Sequence, residues 1–220
     1  MGKLEWGDAE VGLMECSRAT LADVPGIGRL FLASFPESIR HTCGTIPNFA
    51  AVEDLFTCIY EAEPRAAFVA KEATSQVVGY VLAPSKISNL WKRAVLGGHI
   101  FRWAWRWLKG DYGFGLYPIK VMVLNKIGFL HSAFTAQISA EARILSVAVD
   151  PSMRGQGVAT RLMNCAMEYF VEQKAPLIRL EVRPSNLPAK KIYEKLGFKA
   201  AGYTRDSQGT WLIMLKELEH

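Results

Sequence analysis

A pair of glycines stands where a predicted strand passes into a predicted helix. The strand is the apolar run 144–149, and the motif after it is Arg154-Gly155-Gln156-Gly157-Val158-Ala159-Thr160. The helix is indicated by the apolar spacing of Leu162, Met163, Ala166, Phe170 and Val171. Because the first turn of a helix leaves N–H groups unpaired and glycines let a ligand approach them, this turn could bind a phosphate. Thr160 would add a hydroxyl and Arg154 a positive charge. A tight turn without a ligand would use the same residues.

The spacing of these glycines does not fit two common phosphate-binding motifs. A P-loop requires Gly-x-x-x-x-Gly-Lys-Ser/Thr, and a dinucleotide-binding turn requires Gly-x-Gly-x-x-Gly. Neither pattern is present at this turn. We therefore expect the bound group to be a pyrophosphate of a different cofactor.

A carboxylate and a phenol follow on the next two predicted elements. Side chains of the strand 177–182 alternate between an apolar face and a polar face. The apolar face carries Ile178, Leu180 and Val182, and the polar face carries Arg179 and Glu181 and continues to Arg183. Ser185 or Asn186 could cap the next helix, which carries Tyr193. By spacing alone, Glu181 would be a residue of a solvated strand face. Asn186 would be no more than a cap, and Tyr193 would be a core residue with a hydrogen-bonded hydroxyl.

Three motifs in this order resemble those of the GCN5-related N-acetyltransferases: R-G-Q-G-V-A, L-E-V-R-P-S-N and K-I-Y-E-K-L-G-F. The second motif, with a tyrosine seven residues after its asparagine, is most similar to the enzymes that acetylate the N-terminal alanine of a ribosomal protein. The resemblance is good over about 140–215, loose over about 16–85 and absent between them. It implies an α/β acyl-CoA N-acyltransferase fold, in which helices flank a mixed, mostly antiparallel sheet.

The resemblance also implies a donor and a role for each site residue. The donor would be acetyl-CoA, with its pyrophosphate on residues 154–160 and its pantetheine arm paired with the backbone of Val147, Ala148 and Val149. Asn186 would touch the same cofactor. Glu181 would take a proton from the acceptor amine, and Tyr193 would give one to the leaving thiolate. The resemblance implies no metal.

The reaction itself needs few groups. A protonated amine has no lone pair, and amine pKa values run from about 7.7 for a chain N-terminus to about 10.4 for lysine. A carboxylate or a water chain must therefore take a proton before the amine attacks the thioester. A phenol of pKa near 10 protonating a thiolate near 8.5 is uphill by about 2 kcal/mol in water. Direct attack without an acyl-enzyme intermediate is consequently sufficient.

The remaining pattern supplies the elements that position these groups. We predict a strand over 12–19, a helix from Thr20 to about Phe35 that Pro36 ends, and a second helix over 49–61. The side chains of the second helix that would face the core are Val52, Leu55, Phe56 and Ile59. The family uses the loop between these helices, here 41–48, for the acceptor, so His41 and Thr42 are candidate substrate contacts. Two hairpins are predicted, over 66–70 with 77–83 and over 200–203 with 210–215.

The segment 85–139 departs from the family. It holds four of the six tryptophans, and its eight basic residues against one acid give +7, more than the +5 of the whole chain. Helices are predicted over 87–96, 99–108 and 119–129, and none is long enough to span a membrane. The segment could be a lid over the acceptor groove, a membrane-surface element, or a pocket for a long or aromatic substrate or for a fatty acyl chain. Nucleic acid is the least favoured partner, because apolar residues interrupt the basic ones.

Length and composition complete the prediction. The 220 residues fit one acetyltransferase domain over 1–217, interrupted by 85–139, and residues 218–220 resemble a remnant of a purification tag. The four cysteines are scattered, which suits the cytoplasm, with peripheral membrane contact through the insert as a further option. We predict transfer of an acetyl group from acetyl-CoA to a small-molecule or peptide amine. Two alternatives stay open: transfer of a longer acyl chain, and a non-catalytic acyl-CoA-binding or membrane-docking module.

Overall fold

The computed structural model describes residues 16–117 and 140–218. Its first half contains strand β1 (Cys16–Arg18), helices α1 (Val24–Ser34), α2 (Pro36–Cys43) and α3 (Phe49–Ala62), strands β2 (Ala67–Lys71) and β3 (Val77–Leu82), and helices α4 (Ile87–Leu96) and α5 (His99–Leu108). A short 3-10 turn, Leu21–Asp23, precedes α1, and another, Pro64–Ala66, precedes β2. The bounds of α4 and α5 agree with the predicted ones. The predicted strand residues 12–15 and the predicted helix 119–129 lie outside the described residues.

The second half carries the glycine turn between a strand and a helix. It contains β4 (Ala142–Arg143), β5 (Ser146–Val149), a 3-10 turn Pro151–Met153, α6 (Val158–Glu172), β6 (Leu177–Val182), α7 (Leu187–Lys195), β7 (Lys199–Asp206) and β8 (Gly209–Glu217). The last two strands form the predicted closing hairpin, with longer strands than the pattern indicates.

These strands form two four-stranded sheets, in the orders β1-β2-β3-β5 and β4-β6-β8-β7. All neighbours are antiparallel except β4 and β6. The predicted mixed, mostly antiparallel architecture with flanking helices is therefore confirmed.

The two sheets separate at one place, between β5 and β6. Arg143 of β4 still pairs with Arg179, and the Ile144 N–H donates to the Arg179 carbonyl at 3.0 Å. Three residues after Arg143, β5 pairs with β3 instead, so Ser146 lies opposite Leu82. The pairing with β4 ends at Arg179, and beyond it β6 continues to pair with β8 on its other side. A gap therefore opens between β5 and the second half of β6.

Two apolar clusters cover the opposite faces of the first sheet. Side chains of β2 alternate between them, with Phe68 packed toward α6 and Val69 toward α1 and α3. The first cluster centres on α6, where Leu162, Met163 and Phe170 are fully buried. Close packing is required at Gly79, where a Cβ would lie 2.9 Å from Leu162 Cδ1. The packing of α6 on the sheet fixes the position of the helix N-terminus beside β5.

Three predictions about side chains and boundaries are wrong. Pro36 ends α1 but also begins α2, because proline has no N–H to lose at a first helical position; His41 and Thr42 are therefore helical and not in a loop. Leu55 is 42% exposed, since it faces open cavities and not the core. Val171 is 54% exposed, because it lies in the last turn of α6 and beyond the sheet.

Candidate active site

The glycine turn has the backbone that a phosphate site requires. Gly155 and Gly157 have φ angles of +79° and +76°, a region that side chains with a Cβ disfavour. Gly157 is the N-cap of α6, and no side chain caps its N–H groups. A Cβ at either glycine would meet open space, so conformation and not crowding demands glycine here. The first N–H groups of α6 therefore face outward with no intrahelical acceptor.

The other residues of the predicted anion site differ in what they can offer. The side chain of Val158 is buried in the apolar cluster that centres on α6, so only its backbone can contact a ligand. Arg154 and Thr160 are exposed. The Arg154 Nε donates to the Val149 carbonyl at 3.4 Å, which holds the guanidinium between β5 and the turn. Gln156 donates to the Ser152 carbonyl at 3.2 Å and closes the turn on itself.

Strand β5 is the edge of its sheet on the side of the gap. The Asp150 N–H donates to the Val78 carbonyl at 2.8 Å, and hydrogen-bonded pairs alternate along an antiparallel ladder. Ala148 therefore directs its backbone groups to β3, whereas Val147 and Val149 direct theirs into the gap. Of the three residues predicted to pair with a pantetheine arm, two have the required orientation.

Glu181 lies on β6 at the mouth of this gap. The Arg179 Nη2 donates to Glu181 Oε1 at 2.6 Å, and the Arg179 side chain is only 10% exposed while that of Glu181 is 37% exposed. The arginine therefore fixes one carboxylate oxygen. The second oxygen is available to water or an amine, which is the arrangement that a general base requires.

Tyr193 and Asn186 lie on the helix that follows β6. The Asn186 side chain accepts from the Ala189 N–H at 3.2 Å, so the predicted cap is present and its amide nitrogen remains available as a donor. Tyr193 is buried, with its ring edge-on to Phe198 at 6.1 Å between centroids. Burial raises the pKa of the Tyr193 phenol to about 12. The phenol is consequently protonated at any physiological pH.

A cavity of about 550 Å³ brings several of these residues together. Val147, Glu181, Asn186, Tyr193 and Thr42 line it. The glycine turn, Ala148, Val149 and His41 do not. His41 instead forms a hydrogen bond with the β7–β8 turn, with 2.9 Å between its Nε2 and the Ser207 Oγ. This bond connects α2 to the hairpin.

Sequence reasoning missed much of the cavity wall. The unpredicted lining residues come from α1 to α3, from the turn after α5 and from the β7–β8 hairpin, and include Phe31, Phe35, Ile39, Phe114, Gln208 and Trp211. Arg183 also lines it, with its guanidinium 3.7 Å from the Trp211 ring centroid. Its place in the L-E-V-R-P-S-N motif was the only available signal, because the other contacts join distant segments.

The model of the Acetyltransferase (GNAT) family matches residues 30–198. The chain belongs to this family. An N-alpha-acetyltransferase of Saccharolobus solfataricus is 34% identical over 91 residues, which are 39% of this chain and 54% of that protein. A [ribosomal protein bS18]-alanine N-acetyltransferase of Salmonella typhimurium is 28% identical over 108 residues, 49% of this chain and 72% of that one. The chain spans about half the length of the first curated relatives it matches.

Solved structures of the family share the fold of this GNAT protein. Ard1 from Thermoplasma volcanium superposes with a TM-score of 0.57 at 20% identity, over 94% of this chain and 98% of that one. The ribosomal-protein-S18-alanine N-acetyltransferase from Escherichia coli gives 0.54 at 16% identity, over 94% of both chains. The resemblance drawn from the motifs and the predicted fold class are thereby confirmed.

Proposed function

We propose that this GNAT protein transfers an acetyl group from acetyl-CoA to a primary amine. The observation that carries the proposal is the position of Glu181 and Tyr193 in one cavity at the mouth of the β5–β6 gap. That gap leads along β5 toward the glycine turn at the N-terminus of α6. The proposed proton acceptor, proton donor and anion site would thus follow one another along this groove.

The donor would lie along β5. Its pyrophosphate would accept from the N–H groups around Gly155 and Gly157, and the α6 dipole and Arg154 would favour its negative charge. The pantetheine amides would pair with the backbone of Val147 and Val149, and Asn186 would donate to the same arm. The thioester would then reach the cavity beside Tyr193.

The acceptor amine would attack the thioester carbonyl from the other side. As the C–N bond forms, the nitrogen loses a proton to Glu181 through a water molecule, and as the C–S bond breaks, Tyr193 protonates the departing thiolate. A phenol of pKa about 12 is a weaker acid than free tyrosine, so in water the second transfer would cost about 5 kcal/mol. The burial that weakens the phenol also raises the pKa of a thiolate beside it, which reduces this difference.

The test is CoA release from acetyl-CoA in the presence of a panel of amines. We expect Glu181→Gln and Tyr193→Phe each to lower kcat by about 10²–10⁴-fold. Two exposed residues provide matched controls: Glu194→Gln on α7 and Tyr203→Phe on β7 should stay within about twofold of wild type. A loss below about tenfold for both site variants would overturn their roles. Octanoyl- and palmitoyl-CoA in the same assay test the longer acyl chain, and binding of acetyl-CoA without turnover of any amine would identify a non-catalytic module.

We also propose that the exposed side of α4 and α5 contacts an anionic membrane surface. Trp91, Leu96, Phe101, Trp105 and Leu108 are between 61% and 84% exposed there. The sequence has no acidic residue between Ser85 and Gly110, and Lys92 and Lys109 are exposed beside this apolar side. Short helices with aromatic and basic residues bind at lipid interfaces. Two copies of this face would bring like charges together, which favours a lipid surface over self-association.

Vesicle flotation tests the membrane contact. The full chain should float with vesicles that contain phosphatidylserine, and the double variant Phe101→Ser, Trp105→Ser should stay in the soluble fraction. Tyr203→Ser, an exposed aromatic on β7, is the control and should float like wild type. Absence of flotation by the wild-type chain, or flotation of the double variant, would contradict the proposal. No helix among the described residues is long and apolar enough to cross a membrane.

A further inference from the structure

The insert helix α5 is held against α3 by a buried carboxylate. Asp54 of α3 accepts from the Arg106 guanidinium and from the Tyr112 hydroxyl, both at 2.7 Å, and lies 3.4 Å from Arg102. The Asn48 N–H donates to the Tyr112 carbonyl at 2.9 Å. These contacts join α5 and the turn after it to α3 through charged and polar groups. Of the described insert residues, Phe114 alone lines the cavity that contains Glu181.

A second cavity of about 310 Å³ lies between α3 and α5. It shares Ala51, Leu55 and Phe114 with the cavity of Glu181, so the two cavities adjoin along an apolar border. Its remaining lining residues are Trp103, Ala104, Trp107 and Tyr112. No charged residue lines it among the described parts of the chain. The Tyr112 hydroxyl is engaged by Asp54, so this residue offers the cavity mainly its ring.

The charges of the first cavity restrict the acceptor further. Within 16–117 and 140–218, Glu181 is its single acidic lining residue, and Arg183 its single basic one. A polyamine would therefore find one carboxylate for several positive charges. Since each unpaired charge taken out of water is costly, this cavity favours an acceptor with one amine and an apolar body. The exposed Leu55 has the same explanation, because it lies where such a body would pass.

We propose that the acceptor is a primary amine with a long alkyl or aromatic group, which extends from Glu181 across Ala51 and Leu55 and past Phe114 into the cavity beneath α5. This inference rests on the proposed acetyl transfer. The same chemistry occurs in a free lipophilic amine and in a peptide whose first residues are large and apolar. In either case the insert supplies specificity by binding the part of the acceptor that does not react.

The first experiment compares n-propylamine with n-octylamine as acceptors for acetyl-CoA. Each CH₂ buried is worth about 0.8 kcal/mol, so the ratio of kcat/KM for octylamine over propylamine should exceed about tenfold. The variant Ala104→Phe fills the second cavity without touching the first and should reduce this ratio by at least about tenfold. Ala73→Phe, in the exposed turn between β2 and β3, adds the same side chain elsewhere and should preserve the ratio. The kcat/KM values of a tripeptide that begins with Leu and of one that begins with Ala, compared with that of octylamine, distinguish a peptide acceptor from a free amine.

Calorimetry with n-octylamine in the presence of CoA gives a readout without turnover. Binding should be saturable, tighter than that of propylamine, and weakened in Ala104→Phe. Equal kinetics and binding for the two amines in the wild-type chain would overturn the tail site while leaving acetyl transfer intact. Tight octylamine binding without CoA release from acetyl-CoA would instead contradict the proposed function and leave the tail site standing.

Discussion

Arg179 Nη2 lies 2.6 Å from Glu181 Oε1, two residues along the same face of β6. The arginine side chain is almost fully buried, whereas the carboxylate reaches the cavity. This ion pair fixes the rotamer of Glu181, the proposed base. The arginine thus holds one carboxylate oxygen of Glu181, and the other oxygen is left to the acceptor.

Loss of this arginine should affect turnover more than donor binding. We expect Arg179→Gln to lower kcat by about ten- to a hundredfold, because a displaced base loses its alignment with the amine. KM for acetyl-CoA should change by less than about twofold, and Arg179→Lys should restore part of kcat. The exposed Lys199→Gln serves as control. A parallel rise in KM, or no rescue by lysine, would argue against a positioning role.

The pH profile of turnover should lack a descending limb from Tyr193. A phenol donates a proton only while protonated, and burial raises the pKa of Tyr193 to about 12. Activity that depends on this acid is therefore retained as pH rises through about 10 and is lost only near the raised pKa. Meanwhile kcat/KM should rise as the acceptor amine loses its proton. A fall between about pH 8 and 10 that disappears in Tyr193→Phe would contradict this prediction.

Gly155 and Gly110 provide a matched pair of glycines. Both have a φ of +79°, and a Cβ at either would meet open space. Alanine at each position should cost a similar stability, about 1–2 kcal/mol, measured by chemical denaturation. Only Gly155→Ala should weaken CoA binding in calorimetry, by at least about tenfold, because its methyl group would stand where the pyrophosphate approaches. Equal CoA affinity in the two variants would remove the anion site from this turn.

Asp54 should be the main polar anchor of the insert. Asp54→Leu leaves the Tyr112 hydroxyl without its acceptor and leaves Arg106 with Asp111 as its remaining carboxylate, so we expect a loss of about 1.5–3 kcal/mol in denaturant titration. The neighbouring Glu53 is exposed, and Glu53→Leu should change stability by less than about 0.5 kcal/mol. If the two variants had the same stability, α5 would be held by its apolar contacts and not by this network.

The sequence alone determined the features that depend on neighbours along the chain. The glycine turn, the alternation of β6, a cap at Ser185 or Asn186 and the bounds of α4 and α5 follow from dihedral preferences and periodicity over a few residues. Those local patterns were sufficient to indicate the family and the fold class. The roles of Glu181 and Tyr193 and the donor contacts of the glycine turn stay predictions, although the cavity brings the two side chains together.

Only the tertiary structure decided how distant segments meet. The separation of β5 from β6 depends on β3 and β8 as partners, which no local pattern specifies. The second cavity that Leu55 lines needs Phe114 and Trp103, some fifty residues away, and the contact of His41 with the β7–β8 turn needs Ser207. Such contacts form between surfaces that are each compatible with several partners, so periodicity gives the face but not its neighbour. The second cavity therefore exists only because the insert packs against α3, a contact that no local pattern specifies.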